Sequence, residues 1–275
     1  MAWHIGFWRN CCIVVHSCLM LIASGMVYAG EVEWELGVGV AALDVPFYPG
    51  SSQSKTYIFP LPYIIYRSER LEIDNGIEAT LFKTPGIRFN LSADIGVPVN
   101  SRDSQARAGM PDLDLVIQVG PSVEITLAGG RFKPSHFRLD LPLRAAIATD
   151  FGSAQSVGWV FEPRLTYETR RPYKTGFANL ISGGLRFSTE DLHEYYYNVE
   201  PAFVTPTRTQ FDAQGGYSGL FVDYIATWRT EDLIFWGLLR YQNLAGAAFE
   251  NSPLIEQKDY WLFGAGITWV FARNL

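Results

Sequence analysis

Apolar residues alternate with polar or small ones along most of the chain, and the alternation is sharpest near its end. Between Tyr260 and Phe271, one strand face collects Trp261, Phe263, Ala265, Ile267, Trp269 and Phe271. The other takes Leu262, Gly264, Gly266 and Thr268. Successive side chains of a strand point to opposite faces, so period two predicts a β-strand. A strand between lipid and a lumen carries this pattern. A half-buried strand of a soluble sheet can carry it too. The stretch closes on Gly266-x-x-Trp269-x-Phe271, the terminal pattern that the outer-membrane barrel assembly machinery reads.

Ten further segments read as strands. In 33–41, Trp34, Leu36, Val38 and Val40 share a face, and 57–66 is apolar around Pro60 and Pro62. Segment 71–82 sets Leu71, Ile73, Ile77 and Leu81 against Glu72, Asp74 and Glu78. Lys83-Thr84-Pro85-Gly86 has turn composition. Segment 87–97 then sets Ile87, Phe89, Leu91 and Ile95 against Arg88, Asn90, Ser92 and Asp94, which predicts a hairpin. Segments 115–127, 137–147, 159–167, 177–187, 218–228 and 233–241 alternate in the same way. With the terminal strand this makes eleven, and a closed single-chain barrel needs an even number. The missing strand is expected within 194–206, where Tyr195, Tyr197 and Val199 alternate, giving twelve strands, with ten as the alternative. Pro121, Pro142 and Pro163 fall inside these segments and mark bulges or shifted boundaries.

The N-terminus explains how such a chain reaches a membrane. Arg9 precedes a short apolar run, and Val27-Tyr28-Ala29 offers small residues for cleavage, so residues 1–29 read as a signal peptide and 30–275 as the barrel. The run is too short for a membrane helix. Cys11, Cys12 and Cys18 all lie within it, so the processed chain has no cysteine chemistry, and only His136 and His193 remain of four histidines. Removing Arg9 leaves 21 basic against 28 acidic residues, a net of −7, which speaks against a nucleic-acid partner. No later segment is long and apolar enough for a membrane helix, so a spanning chain must close as a transmembrane antiparallel up-and-down β-barrel. A periplasmic β-sandwich or lipocalin-like barrel is the soluble alternative.

Several scattered stretches resemble one family. Gly37-x-Gly39 leads to Pro46-x-Tyr48-Pro49-Gly50-Ser51, and Pro60-Leu61-Pro62-Tyr63-Ile64-Ile65-Tyr66-Arg67 follows. Tyr196-Tyr197-Asn198-Val199 is similar to a Tyr-Phe-Gly-Val box, with Asn198 in place of Gly. Arg240-Tyr241-x-x-Leu244-x-Gly246-Ala247-Ala248 leads to Ser252-Pro253-Leu254-Ile255. Together these resemble the MipA/OmpV outer-membrane proteins, over nearly the whole processed chain. The resemblance implies an outer-membrane barrel without catalytic residues or cofactors. It also implies a role as a scaffold for murein-remodelling enzymes, a transglycosylase or synthase, or as a porin-like or adhesive protein.

On the predicted faces, Arg88, Arg138, Arg144, Arg164, Arg186 and Arg240 turn to the lumen with Glu72, Asp74, Glu78, Asp94, Glu124, Asp140, Glu162, Asp223 and Asp232. The planar fork of arginine suits carboxylates in a narrow lumen. Such a lattice either holds the barrel together or forms a charged eyelet for small solutes. A lipid-modifying enzyme would need a positioned serine and histidine. Ser135-His136 are adjacent and so point to opposite faces, while His193 lies in a polar stretch read as a solvated loop. The loops around Pro49-Gly50-Ser51-Ser52 and Asn251-Ser252-Pro253 have turn composition, with partner binding as the functional alternative. The leading expectation is an interaction or scaffold protein, then a solute channel, then the enzyme.

Overall fold

The computed structural model describes residues 33–274, apart from 68–71, 74–77, 85, 131–132 and 170–174. The expected signal peptide lies outside the described residues. Among the described residues, thirteen strand segments follow one another around an antiparallel sheet. They are β1 (Glu33–Pro46), β2 (Ser54–Arg67), β3 (Glu72–Ile73), β4 (Glu78–Thr84), β5 (Ile87–Gly96), β6 (Leu115–Gly129), β7 (Ser135–Thr149), β8 (Ala154–Phe161), β9 (Arg164–Thr169), β10 (Gly176–Ser188), β11 (Gly216–Arg229), β12 (Leu233–Asn243) and β13 (Asp259–Arg273). Segments β8 and β9 both lie between β7 and β10 and are one strand interrupted at Glu162-Pro163, so thirteen segments make twelve strands. β13 pairs with β1, from Glu35↔Arg273 to Asp44↔Phe263, and closes the barrel.

Some sequence expectations need correction. Residues 194–206 hold no barrel strand: Glu190–Tyr197 is a helix, α1, followed by a single 3-10 turn at Pro201–Phe203. Glu190 and Asp191 suit the positive end of the helix dipole, and His193 and Tyr197, four apart, share its buried face. Three alternating residues are too few to separate a strand from one helical face. The extra strand comes instead from 71–82, which divides into the two-residue β3 and β4. Of the three prolines, Pro163 lies in the β8–β9 break, while Pro121 and Pro142 stand inside β6 and β7 with no shift of register: Pro121 lies opposite Leu91, and Pro142 opposite Ser122 in step with Val119↔Ala145.

The outward faces form an apolar belt. Val38, Ile58, Phe89, Ile95, Phe177, Ile181, Trp228, Trp261, Phe263, Trp269 and Phe271 are all exposed. Apolar surface of this extent belongs in lipid. Aromatic pairs Trp228–Phe235 and Trp269–Phe271 lie towards one rim and Tyr241–Trp261 towards the other. The start of β1, the end of β13 and the 230–232 turn lie at the first rim, and the long connections 47–53, 97–114, 189–215 and 244–258 at the other. Barrels of this kind keep short turns on the periplasmic side and long loops outside.

The long connections fold over the mouth as a plug. Tyr48, Val99, Leu113, Tyr197, Val199, Ala213, Leu244, Phe249 and Leu254 form its buried core. α1 packs on the inner wall of β6–β8 through Leu192, against Val116, Ala146, Ala148, Val157 and Val160. Gly158 permits this approach. Its φ is +114°, and a Cβ there would lie 2.2 Å from Thr189 Oγ1 and 3.1 Å from the Leu192 nitrogen.

Candidate functional site

The lumen holds a lattice of arginines and carboxylates. Towards the short-turn end, Arg138 binds Asp140 at 2.9 Å and Glu168 at 3.0 Å, and lies 3.8 Å from Glu124. Glu124 also faces Arg88 at 3.8 Å and His136 at 3.9 Å. Above them, buried Glu162 meets Arg186 at 2.5 Å, Arg144 at 3.3 Å and Arg164 at 3.7 Å. The lattice therefore gathers all seven candidate lumen residues, Arg88, Arg138, Arg144, Arg164, Arg186, Glu124 and Glu162. Arg240 is held by Asp223 at 2.5 and 2.9 Å. Asp232 is a correction: it lies in the 230–232 turn, is exposed and pairs with Arg273. The side chains of Glu72, Asp74 and Glu78 lie outside the description. Gly266 faces inward, its Cα covered by the Trp236 ring, while Trp269 and Phe271 point to the belt.

Some contacts reach across the lumen rather than following one wall. Arg229 on β11 grips Glu35 on β1 with both terminal nitrogens, at 2.5 and 2.9 Å, and Tyr63 adds a hydroxyl at 3.1 Å. Asp94 on β5 faces Arg186 on β10 at 3.6 Å. The two partners come from strands that are not neighbours in the sheet. Reading one strand at a time misses such pairs, because each face shows only its own charge.

The plug unites the stretches that carry the family resemblance. Tyr48 donates to the Leu254 carbonyl at 2.9 Å, and Tyr197 donates to the Pro49 carbonyl at 3.1 Å. Ser252 Oγ donates to the Tyr197 carbonyl at 2.8 Å, and the Tyr197 and Phe249 rings stack 3.8 Å apart. Gly50, at φ +95°, offers its carbonyl to the nitrogens of Glu256 and Gln257. Burial pushes the Tyr48 phenol up to about 12 and Tyr197 well above its ordinary value, so both stay donors at neutral pH.

His193 is buried, not solvated. Its Nδ1 lies 2.6 Å from the Gln214 carbonyl, and its Nε2 lies 2.7 Å from Ser218 Oγ. A carbonyl only accepts, so Nδ1 carries the proton and Nε2 accepts from Ser218. No local pattern reveals this base–hydroxyl contact, since Ser218 lies 25 residues away on β11. Its partner at Nδ1 is a carbonyl rather than a carboxylate, and Ser218 shares its oxygen with Ser188 at 3.0 Å. The contact fastens α1 to the wall. His136, by contrast, sits 3.1 Å from Thr126, away from Ser135. Asp112 accepts from the Ser101 nitrogen, and the Tyr195 hydroxyl meets the Asp114 nitrogen, so both aspartates lie within the plug's bonding. Among the described residues no group of three His, Cys, Asp or Glu is placed to hold a metal ion.

Burial draws His193 below the usual imidazole value of 6.5. Below about that pH the unfolded chain takes up a proton that the folded one resists, so stability falls as pH drops through 6.5 towards the lower folded value. Limited proteolysis of the 189–215 segment is expected to speed up between pH 7.5 and 5.5. His193→Gln should flatten that dependence, and an unchanged pH response in the variant would remove His193 as its cause.

Beneath the plug lies a cavity of about 170 Å³, with Asp94, Gln118, Arg186, Tyr196, Arg240 and Tyr260 among its lining. Gln118 is buried there with its side-chain oxygen unpartnered.

The chain is 24% identical to the outer membrane protein Omp26La of Vibrio anguillarum, and 23% identical to the outer membrane protein OmpV of Vibrio cholerae serotype O1. Each match covers 91% of both chains. Among solved structures it is similar to an outer membrane channel from Pseudomonas putida F1, with 10% identity, a TM-score of 0.43, and coverage of 90% of this chain and all of that one. It is likewise similar to LpxR from Salmonella typhimurium, with 12% identity, a TM-score of 0.43, and coverage of 86% and 100%. The family described as MltA-interacting protein MipA matches residues 36–271. With its twelve-strand sheet, its apolar belt and its plug built from the family-like stretches, the chain belongs to the MipA family of outer-membrane β-barrel proteins.

Proposed function

We propose that this chain is an interaction protein of the outer membrane, with a lumen closed to solutes and a periplasmic partner bound at its short-turn end. The observation that carries this reading is the cross-lumen pairing of Glu35 with Arg229, with the plug above it. A solute would have to break a bidentate ion pair and displace a packed core. The family description names MltA interaction, which makes a murein transglycosylase the partner of choice. The short-turn rim offers charge for it: Glu33 with Arg67, and Asp232 with Arg273. The second reading, a solute channel, draws on the cavity beneath the plug.

Refolded protein in a planar bilayer is expected to give no stepwise conductance. In nanodiscs it is expected to bind a purified murein transglycosylase in surface plasmon resonance, and Asp232→Lys should weaken that binding. Stable openings in the unmodified chain would replace the interaction reading with the channel.

A further inference from the structure

The barrel wall is incomplete on one side. β2 pairs with β1 along its whole length, from Glu33↔Arg67 to Pro46↔Ser54. On its other edge, among the described residues, only Tyr66 and Arg67 are paired, with Ile73 and Glu72 of β3. β4 in turn covers β5 only as far as Glu78↔Ser92. Four residues separate Ile73 from Glu78, too few to run along the twelve residues from Ser54 to Ile65. Between the upper part of β2 and the upper part of β5 the sheet is therefore breached. The breach is bounded above by Tyr57, which donates to the Pro98 carbonyl at 3.4 Å, and by Gln53 Oε1, which accepts from the Gln105 nitrogen at 2.7 Å.

The chemistry of its rim is selective. Pro60 and Pro62 share one parity, and proline fits a strand only where its nitrogen faces no partner. Both missing donors thus fall on the free edge, which makes that edge a poor template for an added strand. The outward face of β2 is apolar, with Ile58 71% exposed. Its inward face is apolar and aromatic too. Tyr57, Phe59 and Leu61 lie opposite Leu43, Ala41 and Gly39 of β1, on the same face as buried Glu35. Strands β5, β6, β7 and β9 to β12 turn charges inward; on β2 the inward face is apolar from Tyr57 to Leu61. On the β5 side of the breach Asp94 to Val97 line the cavity, and the end of β1, which pairs with the start of β2 at Val45↔Lys55 and Pro46↔Ser54, lines it through Val45, Pro46 and Phe47. There Arg186 and Arg240 face open space while the carboxylates that hold them, Glu162 and Asp223, are buried behind. Each guanidinium still has donors that those carboxylates do not take.

We propose that the breach between β2 and β5 admits a single-chain fatty carboxylate from the surrounding membrane, its tail along Tyr57, Phe59 and Leu61 and its head before Arg186 and Arg240. An acyl chain needs no hydrogen bonds from the edge, which sets it apart from an incoming strand, and the cavity is the size of a carboxylate and its first methylenes rather than of a whole lipid. Asp94, 36% exposed beside Arg186, is the carboxylate of the cavity lining that opposes the head.

The test is photolabelling of the full-length processed protein in nanodiscs with a diazirine-bearing palmitate. Labelled residues are expected within 57–61 and 93–97, and excess palmitate should compete where hexadecanol does not. Asp94→Asn is expected to raise the apparent affinity ~5-fold, the scale of removing one like-charge contact near a surface. Phe59→Asp is expected to cut competed labelling about tenfold, since a charge then lies along the acyl path. Labelling spread evenly around the belt, equal competition by hexadecanol, or an unchanged affinity in Asp94→Asn would each overturn the proposal. Asp94→Asn and the competition do not depend on whether Phe59→Asp folds. Nor do they depend on the closed-lumen reading, which conductance tests separately.

Discussion

Replacing Glu162 by alanine is expected to lower the unfolding free energy by roughly 3–5 kcal/mol, the usual cost of leaving buried charge without its partner. Three guanidiniums converge on this carboxylate, from β7, β9 and β10, and it has almost no access to water. Without it, Arg144, Arg164 and Arg186 repel one another across the β8–β9 break, with Asp94 and Asp140 left to oppose them. The arginines themselves should not respond equally. Arg144 is 2% exposed and Arg164 19%, so truncation of Arg144 should cost more than truncation of Arg164, which water can partly replace. The exposed pair Arg273–Asp232 sets the lower bound, with a loss of about 0–1 kcal/mol. Urea titrations in detergent, followed by the heat-modifiable shift in electrophoretic mobility, give the comparison. If Glu162→Ala loses no more than Arg273→Ala, the lumen is wet and the lattice does not hold the barrel.

The strands were legible because each one records its own two environments. The lipid face of 87–97 shows in Ile87, Phe89, Leu91 and Ile95, and its lumen face in Arg88, Asn90, Ser92 and Asp94, with no knowledge of any neighbour. What a strand does not record is what stands opposite. Glu35 and Arg229 are 194 residues apart, and nothing near either one names the other. The same limit hid the plug. Tyr48, Phe249 and Leu254 sit in loops by local composition and Tyr197 in a stretch that reads as a strand, and only their meeting makes a core. α1 was misread for a different reason: Tyr195 and Tyr197 satisfy period two over too short a run, and the deciding spacing, His193 to Tyr197, shows only once burial is known. The breach beside β2 left one trace, the pair Pro60 and Pro62, whose meaning depends on which edge lacks a partner.

Phe271→Asp is expected to remove most of the protein from the outer membrane, although its cost to the folded barrel is small. We propose that Gly266, Trp269 and Phe271 form the assembly signal of the closing strand, and this variant separates recognition from stability. Phe271 lies near the short-turn end of β13, beside the Leu36↔Ala272 pair and packed on Trp269. A carboxylate there sits at the membrane interface, where even Arg or Lys costs only about 0–1 kcal/mol and Asp less. Ile267, paired with Val40 halfway along β1, points into the same belt near its middle, where Arg or Lys costs about 2–4 kcal/mol and Asp again less. Stability alone therefore predicts that Ile267→Asp is the more damaging change. Recognition of the terminal residues predicts the reverse in cells. Refolding in detergent micelles should rank Ile267→Asp below Phe271→Asp, while outer-membrane abundance should rank Phe271→Asp far lower, with the missing protein degraded in the periplasm. Agreement of the two rankings would mean that abundance follows folding energy, and the terminal strand would then carry no signal beyond its contribution to the barrel.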